Sequence, residues 1–117
     1  MRTLGVDLAA ATRKTAAAVV EWGNGTARLA HLALDVGDDD TAIALQSGDV
    51  PVLATPRLIA LCEQASVQAT RGQVPEGHTT VAMRVQLDHL APTGVGGRVT
   101  AESRLDKVEG RRLTFSV

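Results

Sequence analysis

Three residues of the sequence carry side chains that could together perform acid–base or nucleophilic chemistry. Thr55 supplies a hydroxyl, Glu63 follows it by eight residues, and His89 follows Glu63 by twenty-six. A carboxylate among apolar residues can act as a base or a nucleophile, and a histidine can carry protons near neutral pH. Each residue also has a simpler interpretation: Thr55 as a helix cap, Glu63 as a solvated carboxylate and His89 as a core or edge histidine. The residues alone leave both interpretations open.

Other residues carry weaker chemical signals. Cys62 lies on an apolar stripe and is interpreted as a small core residue rather than a nucleophile. The acidic run at 38–40 is interpreted as a solvated loop or junction, and the glycines at 94–97 as a turn rather than a dinucleotide-binding loop. Asp7 lacks the recognisable acidic companions that a metal-dependent nuclease needs. We therefore predict no metal site and no cofactor.

Composition and charge exclude several classes of protein. The 117 residues predict one domain, or one domain with a fragment attached. Twelve Lys+Arg against thirteen Asp+Glu give a net charge of -1, which is not typical of a protein held to nucleic acid by its phosphates. A single cysteine excludes an internal disulfide framework, and the apolar runs are far shorter than a membrane span. We predict a soluble cytoplasmic protein that binds neither nucleic acid nor membrane.

The element that must position Thr55 and Glu63 is the clearest helix in the chain. Thr55 is an N-cap type of residue, Pro56 suits the first helical position, and Gly72 stands where the helix would end. Ile59 and Val67 form a second apolar row with Glu63 between them, which predicts burial on more than one side. The main apolar stripe at helical spacing comprises Leu58, Leu61, Cys62, Ala65 and Ala69.

Strand patterns lie on both sides of this helix. Residues 1–36 predict three strands, two of them joined by a hairpin turn at Gly23–Gly25. From Thr79 the apolar period changes to two and continues through His89, and two further strands follow up to Val117. The order of hairpin, helix and meander predicts an α+β fold with one helix packed on an antiparallel sheet.

Three stretches of the sequence resemble the fluoroacetyl-CoA thioesterase-like family of hotdog-fold proteins: residues 50–63, 77–89 and 108–113. The resemblance spans residues 41–117 and implies a hotdog fold, a homodimer and an acyl-CoA site at the subunit interface. It also implies that Thr55, Glu63 and His89 are catalytic: Thr55 and Glu63 would attack the thioester carbonyl or activate water, and His89 would move protons.

The sequence departs from the family pattern at two places. Ala82 stands where the family has a glycine whose backbone N–H helps to hold the thioester oxygen, so Ala82 is the expected substrate-binding position. No aromatic residue occurs in residues 38–54, where fluoroacetate-selective members carry a lid. We therefore expect hydrolysis of short or small acyl-CoA thioesters. The alternative is a catalytically inactive hotdog module that binds acyl-CoA or serves as a dimerisation scaffold.

The front of the chain resembles a different family. Residues 1–40 are similar to the opening strands of an uncharacterised RNase H-like family, which suggests a chimera or fusion. The sequence thus predicts an N-terminal hairpin segment at 1–40 and a hotdog domain at 41–117 that lacks the family's last strand. An unpaired sheet edge favours association, so we expect the N-terminal segment to cover that edge or to replace the missing strand.

Overall fold

The computed structural model describes residues 2–9, 21–22, 26–27 and 29–117, with side chains from residue 29 onward. The described elements confirm the predicted α+β, hotdog-like fold. In chain order they are β1 (Arg2–Ala9), β2 (Glu21–Trp22), β3 (Thr26–Ala27), β4 (Leu29–Asp35), a 3-10 helix (Asp38–Asp40), α1 (Thr55–Ala69), β5 (His78–Gln86), β6 (Arg98–Glu109) and β7 (Arg112–Ser116).

Five of the strands form one sheet in the order β4-β6-β7-β1-β5. The pairs β4–β6 and β6–β7 are antiparallel, as expected, whereas β1 is parallel to both of its neighbours. This departure arises because β5 and β7 run in the same direction and β1 enters between them along that direction. The part of the N-terminal segment that joins this sheet next to β5 is therefore β1.

The predicted hairpin is described only near its turn. β2 and β3 form a separate antiparallel pair in which Glu21 is opposite Ala27, and residues 15–20 and 23–25 lie outside the described residues. The next strand, β4, pairs with β6 over its whole length, from Leu29 opposite Arg104 to Asp35 opposite Arg98. Residues on both sides of position 40 thus contribute to one sheet, and the division of the chain at that position stays a prediction.

Helix α1 packs on the β4, β6 and β7 part of the sheet. Its predicted main stripe is confirmed, since the buried helical residues include Leu61, Cys62, Ala65 and Ala69. They contact two apolar clusters of the sheet, one around Ala101 with Leu32 and Leu34, the other around Phe115 with Leu105 and Leu113. Phe115 is fully buried and is the largest side chain of this otherwise aliphatic core.

The structure corrects three details of the predicted helix and strand. Ala54, not Thr55, is the N-cap of α1, and no side chain caps that end. Val67 is 53% exposed whereas Ile59 is half-buried, so the second apolar row of the helix is only partly buried within one chain. Strand β5 ends at Gln86, which leaves His89 in the segment that follows it rather than on the predicted strand.

Strand β5 forms one edge of the sheet and has an irregular register. Its apolar residues Val81, Met83 and Val85 are exposed. On the β1 side, Ala82 is opposite Val6 and Arg84 is opposite Asp7, so Met83 is an extra, unpaired residue of a β-bulge. The edge that carries Ala82 is therefore apolar and locally distorted.

Within the described residues, no helix combines the length and apolar character that crossing a membrane requires. The cytoplasmic location stays a prediction.

Candidate functional site

A hydrogen bond between two of the predicted site residues lies at the N-terminal end of α1. Thr55 Oγ1 and His89 Nδ1 are 2.8 Å apart, and the tautomer of the imidazole decides which group donates. The Thr55 hydroxyl is available for this bond because it does not cap the helix. The two residues are 34 positions apart in the chain, so the fold, not local sequence, brings them together.

Thr55 and His89 line a cavity of about 280 Å³. Two segments enclose it, the one that leads into α1 and the one that follows β5. An isolated bridge between Val52 and Gly94 joins the two segments, and a bridge between Thr41 and Leu53 pairs two parts of the segment that leads into α1. The walls are mainly aliphatic, from Ala42, Val50, Val52, Leu53, Leu90 and Pro92. A hydroxyl–imidazole pair beside such walls can bind an apolar acyl group and act on its carbonyl.

Asp40 braces the entrance to α1. One carboxylate oxygen accepts the Gly37 backbone N–H at 2.8 Å, the other accepts Arg57 Nε at 2.8 Å, and the Asp40 carbonyl accepts the Ala54 N–H at 2.9 Å. These contacts lower the pKa of Asp40, first through the Gly37 hydrogen bond and then through Arg57. Asp40 thereby ties the 3-10 helix to the residue that immediately precedes Thr55.

The sequence prediction missed this brace. The acidic run at 38–40 was expected to be a solvated loop or junction, whereas it forms a 3-10 helix and Asp40 is only 17% exposed. The sequence did contain one signal for this contact. Arg57, whose charge is opposite to that of Asp40, lies in the first turn of a helix whose start the sequence marks clearly. An isolated surface ion pair contributes little, but this carboxylate also accepts a backbone N–H.

Glu63 and Ala82 lie together in a different cavity, of about 320 Å³, between α1 and β5. Phe115 of β7 and the hydroxyl residues Ser66, Thr70 and Thr80 also line it. Glu63 is half-buried and follows Thr55 by a little more than two helical turns, which is about 12 Å along the axis. The carboxylate of Glu63 and the backbone of Ala82 thus form a second pair of candidate groups.

The single chain therefore keeps the four predicted site residues in two pairs. Thr55 and His89 line one cavity, and Glu63 and Ala82 line the other. Along β5, Gln86 is four positions beyond Ala82, a distance of about 13 Å, before the segment with His89 begins. The structure of one chain brings together the members of each pair but not the two pairs.

A buried polar contact next to Glu63 was not predicted. Ser66 Oγ donates to the Cys62 carbonyl at 2.8 Å and lies 2.7 Å from Ser103 Oγ of β6, and both serines are buried. Two serines 37 residues apart carry no local signal of such a contact. The bond fixes the middle of α1 to the sheet just below the cavity.

The interpretation of Cys62 as a core residue agrees with its environment. Its side chain is buried, and burial together with the nearby Glu63 raises the pKa of the thiol to about 11. A thiol is a poor nucleophile in that state. As for metals, no three His, Cys, Asp or Glu residues of the described part of the chain lie close enough together to hold an ion. The side chain of Asp7 lies outside the described residues.

The fold is that of hotdog thioesterases, and similar solved structures agree. A structure of the fluoroacetyl-CoA thioesterase FlK has 28% identity, with a TM-score of 0.69 over 74% of this chain and 69% of that one. A threonine-to-serine variant of FlK in complex with acetyl-CoA has 26% identity and a TM-score of 0.69 over 74% and 70%. A phenylalanine-to-alanine variant with fluoroacetate and CoA has 28% identity and a TM-score of 0.68 over 74% of both chains.

The family model for the fluoroacetyl-CoA-specific thioesterase, FlK, matches residues 36–117. This is well over half of the chain, and the chain belongs to that family. Among curated proteins no relative is found.

Proposed function

We propose that this protein hydrolyses acyl-CoA thioesters with short or small acyl groups, through Thr55, Glu63 and His89. The observation that carries the proposal is the 2.8 Å hydrogen bond between Thr55 and His89 at an aliphatic cavity, in a chain of a thioesterase family. A hydroxyl paired with an imidazole is an arrangement that can activate a nucleophile or orient water.

The reaction consists of addition to the thioester carbonyl followed by loss of the thiol. In one route Glu63 activates a water molecule, whose oxygen bonds to the carbonyl carbon while the carboxylate takes the proton. The Ala82 backbone N–H stabilises the negative charge on the carbonyl oxygen. The carbon–sulfur bond then breaks, and His89 supplies the proton that the leaving thiolate requires. The products are a carboxylic acid and free CoA.

In the second route the attacking group is a protein side chain. Thr55 or Glu63 bonds to the carbonyl carbon, and water then hydrolyses the resulting acyl-enzyme. The hydrogen bond to His89 favours proton removal from Thr55, since the imidazole accepts a proton from the hydroxyl when Nδ1 is unprotonated. Trapping an acyl-enzyme after mixing with radiolabelled acetyl-CoA would distinguish this route from direct attack by water.

We propose that the active protein is a homodimer in which each site takes Thr55 and His89 from one chain and Glu63 and Ala82 from the other. The separation of the two pairs by about two helical turns within one chain supports this arrangement. The exposed apolar residues Met83 on the edge strand and Val67 on the helix also support it, because association would remove them from water.

The acyl preference follows from the walls beside Thr55. Within the described residues no Phe, Tyr or Trp lines that cavity, and its aliphatic walls suit unbranched or small apolar acyl groups. Solved FlK structures include a variant in complex with acetyl-CoA and another with fluoroacetate. For this chain we propose acetyl-CoA and its short homologues as substrates, without a preference for fluoroacetyl-CoA.

A second candidate function is an inactive module that binds acyl-CoA or only dimerises. The observation that favours it is Ala82, whose methyl group occupies a position where the family resemblance implies a glycine. The two functions differ in turnover, so the test measures free thiol release from acetyl-CoA and short acyl-CoAs. Glu63→Ala is measured beside the parent, together with binding of a non-hydrolysable acyl-CoA analogue. Binding without turnover in the folded parent would favour the module.

Mixing two inactive variants tests the shared site. Thr55→Ala and Glu63→Gln chains are unfolded together, refolded as a mixture and assayed. If sites are shared as proposed, half of the dimers are mixed and each has one intact site, so about a quarter of the parent activity returns. No recovery from a mixture that size-exclusion chromatography shows to be dimeric would contradict the shared site.

A further inference from the structure

The cavity that holds Glu63 continues along α1 as a groove. A neighbouring depression of about 220 Å³ shares Val67, Thr70 and Thr80 with it and extends to the segment between α1 and β5. Its far end is lined by Arg71 and His78. The two depressions are therefore adjacent along α1 and together extend from Glu63 to a basic end, a distance of about 10 Å for the seven residues of helix involved.

The groups at the basic end have free hydrogen-bonding capacity. Among the described residues, the Arg71 guanidinium and the Thr79 and Thr80 hydroxyls have no hydrogen-bond or ion-pair partner. His78 Nδ1 contacts the Glu76 carbonyl at 3.1 Å, which leaves Nε2 open. In the part of the chain that the structure describes, no carboxylate lines this end of the groove, and Glu76 lies outside its lining. The end is therefore suited to an anion.

We infer that this groove binds the pantetheine arm of the acyl-CoA and that Arg71 and His78 bind the phosphates at the end of that arm. The inference rests on the proposed function, because it extends the substrate outward from the Glu63 half of the site. It places the two ends of one ligand on the two chains of the proposed homodimer. The acyl group lies in the cavity beside Thr55 of one chain, and the phosphates lie at Arg71 of the chain that supplies Glu63.

The chemistry of the groove matches that arm. Pantetheine joins a thiol to a diphosphate through two amide groups and a carbon with two methyl groups, and its extended length exceeds the length of the groove. Val67 and Val74 offer apolar surface to the methyl groups, and Thr80 offers a hydroxyl to an amide. Guanidinium groups bind phosphate oxygens through paired, charge-assisted hydrogen bonds, which makes Arg71 the main expected contact.

Arg71 also has a structural role that the experiment must separate from binding. It lies just beyond the C-terminal end of α1, where a cation is favourable next to the exposed carbonyl groups. Replacing Arg71 therefore lowers stability slightly whether or not it binds phosphate. A change in thermal stability alone does not test the inference, whereas a change that depends on the substrate's phosphates does.

The experiment compares acetyl-CoA with acetyl-N-acetylcysteamine, a thioester that lacks the phosphates and most of the arm. For Arg71→Gln we expect KM for acetyl-CoA to rise about tenfold, with kcat and the kinetics of the truncated thioester unchanged. His78→Gln should act in the same direction with a smaller effect. The matched control is Arg98→Gln, which removes an equal charge from the distant pair with Asp35 and should change neither substrate's kinetics.

Equal effects of Arg71→Gln on both thioesters, or no effect on either, would overturn the inference while hydrolysis by the parent upholds the proposed function. If the parent hydrolyses neither thioester, titration calorimetry with CoA replaces kinetics. Weaker CoA binding by Arg71→Gln than by Arg98→Gln would then uphold the groove and overturn only the proposed hydrolysis. Equal binding by both variants, or no binding by the parent, would overturn the inference.

Discussion

The two cavities are built in different ways, although one helix contributes to both. At the N-terminal end of α1, side-chain hydrogen bonds do most of the positioning: Thr55 with His89, and Asp40 with Arg57. In the middle of α1, Glu63 has no hydrogen-bond or ion-pair partner among the described residues, and its position depends on how the helix packs on the sheet. In the first region the candidate residues themselves form polar contacts, whereas in the second the position of Glu63 depends on apolar packing and on the buried Ser66–Ser103 hydrogen bond.

This difference has a consequence for function. In the N-terminal region, Thr55 and His89 already form a hydrogen bond within one chain. The middle region is open along β5, where Met83 is 60% exposed, so a carboxylate and a backbone N–H face a surface that association could close. One hydrogen-bonded pair and one open cavity in each chain agree with the proposed homodimer, in which each site takes residues from two copies. The two regions can be tested separately.

The largest expected effect on activity comes from removing the charge of Glu63 in the middle region. Glu63→Gln keeps the size of the side chain, and we expect kcat for acetyl-CoA to fall about 10²- to 10⁴-fold because the proposed catalytic base is lost. The free energy of unfolding should stay within about 0.5 kcal/mol of the parent, since Glu63 has no described partner to lose. Thiol release and urea unfolding are measured on the same samples.

The control for this variant is Glu109→Gln, an exposed glutamate at the end of β6. It removes the same charge away from both cavities and should leave kcat unchanged. A Glu63→Gln protein with parental kcat would show that the middle of α1 takes no part in the reaction, and the comparison of the two regions would fail.

The next effect concerns the buried Ser66–Ser103 hydrogen bond, which helps to hold the middle region on the sheet. Ser66→Ala leaves the buried Ser103 hydroxyl without its partner and should reduce the free energy of unfolding by about 1–3 kcal/mol. Ser66→Ala with Ser103→Ala removes both hydroxyls and should cost less than the sum of the two single changes. Urea unfolding of the four proteins measures the coupling.

If the Ser66 and Ser103 changes were simply additive, the bond would not fix α1 to the sheet. The activity of the same four proteins adds a second comparison. Because Thr55 and His89 are held by other contacts, residual kcat should follow the disturbance near Glu63 and not a loss of the Thr55–His89 hydrogen bond. The pH profile of kcat should therefore keep its shape in all four proteins.

A smaller effect is expected from the brace at the N-terminal end. Asp40→Asn should lower the free energy of unfolding by about 1 kcal/mol at neutral pH, because a charge-assisted contact becomes a neutral one. The pKa of Asp40 is lowered in the folded protein from 3.8. A lowered pKa stabilises the fold above the unfolded-state value, and this contribution is lost as the pH falls through the folded-state value.

The difference between the parent and Asp40→Asn should therefore be full at about pH 6, decline once the pH falls below the unfolded-state pKa, and disappear as the pH falls through the lowered folded-state pKa. Urea unfolding across this range measures it. The matched control is Asp35→Asn, because Asp35 also pairs with an arginine and has a lowered pKa but is well exposed. It should show a much weaker pH dependence. Equal curves for the two variants would mean that the brace is no stronger than a surface pair.

The comparison also explains which parts of the molecule could be predicted from the sequence. The apolar stripe of α1 is a local periodicity, so Leu61 and Ala65 were placed correctly in the core. The candidate site residues follow from the family resemblance, and their roles stay predictions. What failed was local inference about polar groups: Thr55 was taken for a helix cap because its type and place fit one, and its partner His89 is remote in sequence.

The sheet shows the same limit. Period-two alternation continues past Gln86 because it records which residues face one side, not where backbone pairing ends. The parallel insertion of β1 between β7 and β5 could not be predicted, since strand order depends on contacts between distant segments. The pair Asp40–Arg57 was missed because a run of three acids is usually solvated, and only its position against α1 changes that.

The smallest expected effect concerns Ala82, which lies beside the bulge of β5. Ala82→Gly restores the residue type that the family resemblance implies and removes a methyl group from the Glu63 cavity. We expect kcat/KM for acetyl-CoA to rise a few-fold, with a loss of about 0.5–1 kcal/mol of stability because glycine is more flexible in the unfolded chain. A lower kcat/KM in a stably folded Ala82→Gly protein would show that the methyl group helps to shape the cavity, and the expectation that alanine hinders the substrate would be wrong.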